Sequence, residues 1–216
     1  MLSELALSAL TDVVLASVQA FAAGMLYGKG FSPGSAARWW GLTMMVIAAT
    51  FLVGAIDHGF FEPAEHPWHQ KLMFVNRALV AVAAFLIAAT AALQFLGPRG
   101  RKLVIALAAP LAAIVVVLVF VSDNFFIVIA GYSAAMVLML VLNLMHLRDG
   151  LGSWAMVAGI AVTFAASALP FIGGAGFAGI GIYAAYHIAM MPAVVAFYAA
   201  GMALDRRPVA FFSQGA

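Results

Sequence analysis

Residues 103–121 read LVIALAAPLAAIVVVLVFV, nineteen residues without one charged or hydroxylated side chain. Wound as an α-helix at ~1.5 Å per residue, the run is ~29 Å long, which is the thickness of a bilayer's hydrocarbon core. Arg99, Arg101 and Lys102 precede it and Ser122-Asp123 follow it, so it starts and stops as a membrane span does. Six further stretches of the same kind lie on either side: 4–27, 35–60, 70–96, 124–147, 152–172 and 178–203. Between them stand Gly28-Lys29-Gly30 with Pro33-Gly34, Pro63 and Pro67, Gly97-Pro98-Arg99-Gly100, Asp149-Gly150, and Gly173-Gly174-Ala175-Gly176. Glycine and proline in such groups interrupt a helix. The period-2 alternation of a β-barrel is absent, and in lipid a closed helix is the remaining way to satisfy every backbone polar group. The expected fold is all-α: one transmembrane domain over residues 1–216, a bundle of seven helices.

Composition excludes the alternatives. Of 216 residues, 66% are hydrophobic and 8% charged, with a mean hydropathy of +1.11. A soluble domain carries about a quarter charged residues, so a soluble fold, a disordered chain and a nucleic-acid-binding module are all ruled out. Cysteine is absent, which removes disulfides, thiolate metal sites and cysteine nucleophiles. The first 28 residues contain no Lys or Arg. A cleavable signal peptide needs a basic start, so the first apolar stretch reads as a permanent helix.

Basic residues orient the bundle. Lys29, Arg38, Arg99, Arg101, Lys102, Arg148, Arg206 and Arg207, eight of the ten, fall in loops on one side, which is expected to be cytoplasmic. Glu4, Asp12, Asp57, Glu62, Glu65 and Asp123, six of the eight acids, fall toward the other. The N-terminus is then outside and the C-terminus inside, in an integral protein of a bacterial inner membrane, with membrane lipids as its partners and no nucleic acid. Trp39, Trp40 and Trp154 stand at the inner interface and Trp68 at the outer one.

Polar residues gather toward the outer side. Asp57 and His58 end helix 2. His69 opens helix 3, with Asn76 and Arg77 two turns deeper. Asp12 lies in helix 1 and His187 in helix 7. Counted along their helices, Asp12, Arg77 and His187 are each on the order of 10–14 Å below the outer boundary. Ionisable groups at that depth are costly and point to function. Each also has a plain structural reading: an Asp12–Arg77 ion pair joining helices 1 and 3, an interhelical hydrogen bond from Asn76, and a hydrogen-bonded His187. His146, beside Arg148, reads as an interfacial residue. Pro110, Pro170 and Pro192 are expected to kink or end their helices, and the small residues Ala88-Ala89-Thr90-Ala91-Ala92 to permit close packing. Taken together, His58, His69 and His187 with a carboxylate form the inventory of an open zinc site: three protein ligands, with the fourth position left to water. Asp57 or Asp12 would orient a ligand or act as base.

At these residues the chain resembles the seven-helix superfamily of alkaline ceramidases and progestin/adiponectin (PAQR) receptors, whose pattern is Ser-xxx-His on helix 2, Asp near the start of helix 3 and His-xxx-His on helix 7. His58 falls at the helix-2 histidine and His187 at the second helix-7 histidine. Gly54 stands at the serine position, Tyr183 at the first helix-7 histidine, and His69 where the aspartate belongs. The resemblance implies an intramembrane zinc and hydrolysis of a lipid amide or ester near the outer leaflet. A three-histidine ligand set of His58, His69 and His187 is read from these residues and is not the family pattern; Asp57, Asp12 and Tyr183 are the catalytic candidates, with Asn76 and Arg77 beside them. Three other readings remain: haem held by two histidines, a transport-type proton relay through Asp12, Arg77, Asp57 and His187, and a polar cluster that only holds the bundle together. A retinal photoreceptor is disfavoured, because helix 7 has no lysine.

Overall fold

The computed structural model describes residues 3–62, 66–122, 124–173 and 180–204. Seven helices make up almost all of it: α1 (Glu4–Tyr27), α2 (Ala36–Phe60), α3 (Pro67–Phe95), α4 (Pro98–Val121), α5 (Phe125–Met145), α6 (Leu151–Ile172) and α7 (Ile182–Ala203). Each is long and apolar enough to cross a membrane. Glu65, Asp123, Arg206, Arg207 and the Gly174–Gly176 turn, used above for orientation and spacing, lie outside the described residues.

Helix ends depart from expectation where proline was read as a separator. Pro67 and Pro98 each stand in the first turn of their helix, so α3 begins three residues earlier than 70 and α4 five earlier than 103. The reason is chemical: the first-turn N–H groups have no intrahelical partner, so a residue lacking one costs nothing there, and its fixed φ already suits the helix. His66 caps α3, its Nδ1 accepting from the Trp68 N–H at 3.2 Å. Pro110, Pro170 and Pro192 neither end nor divide α4, α6 and α7, each of which continues past its proline.

α7 packs on α1, α6 and, more lightly, α2; α2 packs on α1 and α3; α3 packs on α2, α4 and α5; and α5 meets α6. Six helices thus close a ring, and α4 leans on its outside against α3 and α5. Helices in lipid are held by van der Waals contact and interhelical hydrogen bonds, so small residues set the close crossings. The Ala88–Ala92 run is buried in α3, which packs against α2, α4 and α5. At the α1–α2–α7 seam, Trp40 is buried, donates from Nε1 to Phe197 O at 2.9 Å, and meets the Phe197 ring edge-on at 5.3 Å. Gly201 leaves room for it: a β-carbon there would fall 2.8 Å from Trp40 Cδ1 and 2.9 Å from Leu26 Cδ1. His146, the C-cap of α5, is buried against the bundle, its Nδ1 donating to Leu142 O at 2.6 Å and its ring 4.7 Å from that of Phe95.

The antiparallel order brings Glu4, Asp57, His58, Glu62 and His69 to one end of the bundle, called the acidic end below. Lys29, Arg38, Arg99 and Arg101 stand at the other, the basic end. Glu4 Oε1 accepts from the Ile182 N–H at 3.2 Å, which fixes the start of α7 beside the start of α1.

A candidate acid–base and metal site at the acidic end

α2 ends in Asp57-His58, one turn before Glu62, so residues 58 and 62 share a face as i,i+4 neighbours. His58 Nδ1 contacts Glu62 Oε2 directly. The other ring nitrogen, Nε2, faces Asp12 Oδ2 of α1 at 3.8 Å. Asp12 Oδ1 in turn meets His187 Nε2 of α7 at 3.1 Å, and His187 Nδ1 meets Thr11 Oγ1 at 3.1 Å. Carboxylate and imidazole therefore alternate: Glu62, His58, Asp12, His187. The chain begins partly exposed at Glu62 and His58 and ends in the interior, where Asp12 and His187 are buried.

One proton in this chain can be placed by counting. The Thr11 hydroxyl lies 2.9 Å from both Leu7 O and Ser8 O, the usual bond of a helical threonine to the preceding turn. With its single hydrogen given to those carbonyls, Thr11 Oγ1 can only accept, so Nδ1–H of His187 donates to it. His187 Nε2 and Asp12 Oδ1 are then held together by one shared proton, since two bare acceptors at that distance would repel. The pair is net neutral whichever atom carries the proton, which is how a carboxylate and an imidazole tolerate so apolar a setting.

Asp57 is buried and turned toward α3, where His69 Nδ1 donates to both its oxygens, at 2.8 and 3.0 Å. Asn76 donates from Nδ2 to Thr50 O at 2.8 Å, tying α3 to α2 as an interhelical hydrogen bond should. Asp12, Gly54, Asp57, His58, Asn76 and His187 all line one cavity of about 270 Å³ among α1, α2, α3, α5 and α7. Phe51 and Tyr186 bound it, their rings 6.2 and 4.9 Å from that of His187.

Other expected members fall elsewhere. Asp12 pairs with His187 and not with Arg77. Equal depth does not mean equal azimuth: Asp12 faces α2 and α7, whereas Arg77 turns toward α4 and α5, its guanidinium 5.6 Å over the Phe125 ring. Tyr183 is half exposed and stacks on His58, ring centroids 6.4 Å apart. The three imidazoles do not form one ligand set: His69 is held by Asp57 and His187 by Asp12. Among the described residues, the potential ligands whose atoms all lie within 4.8 Å of one another are Asp57, His58 and Glu62. Glu62, counted above only among the acids of the outer side, is detectable in the sequence only through its spacing of four from His58. Thr11 carries no signal in the sequence, and Gly54 stands out there only as a departure from the serine of the resembled pattern. A β-carbon at Gly54 would stand 3.2 Å from Asp12 Oδ2, so the glycine makes room for that carboxylate.

Residues 7–206 match a family of proteins of unknown function, DUF6962. The chain belongs to that family. No curated protein and no solved structure matches it.

Proposed function

We propose that this chain spans a membrane with its acidic end outward and its C-terminus in the cytoplasm, and that it is a metal-dependent hydrolase of a lipid amide or ester. Zinc would be held by Asp57, His58 and Glu62 at the mouth of the cavity. The observation that carries the reading is the partner behind each of two ligands. His69 fixes the Asp57 carboxylate, and Asp12 backs the far nitrogen of His58. Outer partners of this kind orient metal ligands and raise their basicity. The donor set is nitrogen and oxygen without sulfur, which suits zinc in a hydrolytic role. Bound there, zinc would acidify a water and polarise a carbonyl.

The chain's own residues supply the rest. The Asp12–His187 pair holds a proton at the cavity wall and can exchange it with an attacking water or a leaving group. Tyr183, against His58 and half exposed, stands where a substrate entering from the bilayer would pass. Apolar side chains, Phe51, Val53, Leu72, Met73 and Val80, make the remaining wall and would accept an acyl chain.

Two departures from the ceramidase and PAQR pattern make sense on this reading. Where that pattern has serine, Gly54 yields its space to the Asp12 carboxylate. Where it has the first helix-7 histidine, Tyr183 still lies against His58. The haem reading is less well supported, because the Asp12 carboxylate stands between His58 and His187, where a haem plane would have to lie.

The test is zinc content and lipid hydrolysis in the purified parent, His58→Ala and Glu62→Ala. About one zinc per chain in the parent and loss of both metal and activity in each variant is expected. Equal zinc in all three, or none in the parent, sinks the reading. A second reading is favoured by the alternation of Glu62, His58, Asp12 and His187, which is a proton path from the surface inward. Proton flux into proteoliposomes that Asp12→Asn abolishes, in a zinc-free parent, would establish it instead.

A further inference from the structure

The cavity at the acidic end holds polar groups that neither the metal nor the acid–base pair uses. Asn76 Nδ2 donates to Thr50 O at 2.8 Å. A carbonyl oxygen only accepts, so it is the amide nitrogen of Asn76, and not its oxygen, that is fixed on that side. One N–H meets Thr50. The second has no partner among the described residues. Asp12 is engaged on one side only: Oδ1 meets His187 at 3.1 Å, while Oδ2 has His58 Nε2 at 3.8 Å, which is beyond hydrogen-bond reach.

Gly54 of α2 lies beside both groups. A β-carbon there would stand 3.2 Å from Asp12 Oδ2 and 3.8 Å from Asn76 Nδ2. The bare α-carbon therefore leaves a niche with an acceptor from α1 and a donor from α3 at its edges. Thr50 does not fill the need, because its hydroxyl donates to Ile47 O at 2.7 Å. The lining nearby is otherwise apolar, with Val53, Leu72, Met73 and Val80. A donor and an acceptor left open among such walls cost free energy unless an occupant pairs them. The niche also has a defined level. Gly54 precedes Asp57 by three residues on the same helix, ~4.5 Å of axis. An acyl chain whose carbonyl stands at Asp57, His58 and Glu62, and whose tail runs down the apolar wall, carries its first few carbons past Gly54.

We infer that the acyl chain of the substrate carries a hydroxyl group close to its carbonyl, read by Asp12 and Asn76 in the niche beside Gly54. A plain methylene chain would cover the donor and the acceptor without pairing either. A hydroxyl pairs both: its O–H donates to Asp12 Oδ2, and its oxygen accepts from the second N–H of Asn76 Nδ2. Water is the competing occupant, since it offers the same donor and acceptor. The inference rests on the acyl chain placed in this cavity under the proposed function, but not on the metal, because Asp12, Gly54 and Asn76 are not among its ligands.

The experiment is native mass spectrometry of delipidated protein in detergent, titrated with methyl tridecyl ketone or its β-hydroxy derivative. Both are acyl analogues without a hydrolysable bond, and they differ only in the hydroxyl. The hydroxylated ketone should bind the parent about tenfold more tightly, the worth of hydrogen bonds to groups otherwise left unpaired. That ratio should fall to about one in Asn76→Ala, which removes the donor, and in Gly54→Ala, whose β-carbon fills the niche. The ratio is what is read, so a variant that weakens the fold, and both ligands with it, does not imitate the result. Equal affinities in the parent, as expected if water fills the niche, overturn the proposal, and so does a parental ratio retained in either variant. A parent that binds neither ketone overturns it together with the acyl-chain reading of the cavity. His58→Ala should keep the parental ratio, so failure of the zinc reading leaves this result intact.

Discussion

Asp12→Asn isolates the role given to the buried carboxylate. The substitution keeps the shape of the side chain and removes its charge. His187 keeps a partner, because its Nε2 can accept from the new amide while Nδ1–H still donates to Thr11. What His58 loses is the negative charge 3.8 Å from Nε2. Loss of a partner behind a ligand typically lowers metal affinity about 10- to 100-fold. A separation of 3.8 Å is ion-pair reach rather than a hydrogen bond, so the effect should sit at the lower end, about tenfold, or ~1.4 kcal/mol. Asp57→Asn, which alters a ligand itself, should cost more than about 100-fold on the same scale. Both are measured by competing a chromophoric zinc chelator against the detergent-solubilised protein, with helicity and thermal melting as controls for folding. If Asp12→Asn binds zinc within about twofold of the parent, Asp12 does not support His58. If it matches Asp57→Asn, Asp12 is a ligand, and the assignment of Glu62 is wrong.

Three further outcomes test the fold that holds the site. Gly201→Ala should lower the melting temperature, because its β-carbon would lie 2.8 Å from Trp40 and 2.9 Å from Leu26, and overpacking of this kind costs about 1–3 kcal/mol; an unchanged melt would mean that the α1–α2–α7 seam is looser than described. Trp40→Phe should cost about 1 kcal/mol in the same melt, the net worth of one hydrogen bond, because the donor to Phe197 O is lost while that carbonyl remains within its helix. The chain has no cysteine, so Glu62→Cys and Lys29→Cys can each be labelled with a membrane-impermeant maleimide in intact cells; labelling at 62 and not at 29 is expected, and the reverse pattern would invert the proposed orientation.

How much was legible in the sequence follows from what a linear count can measure. Runs without charge report where a helix must be, and the seven stretches fall on the seven helices. Distance along a helix reports level within the bundle, so Asp12, Asp57, His58 and His187 are expected toward one end, and there the structure has them lining one cavity. Azimuth was not legible. α3 is apolar on nearly every face, so no amphipathic stripe says that Asn76 looks toward α2 while the adjacent Arg77 looks toward α4 and α5. The same ambiguity made Asp12 and Arg77 look like partners and grouped three histidines that pair separately with Asp57, Asp12 and Glu62. In a soluble protein the burial pattern would have supplied the missing angle, because the polar face points to water. In a chain whose surface is as apolar as its core, the angle is carried instead by small residues such as Gly54 and Gly201, whose meaning depends on a neighbour from another helix.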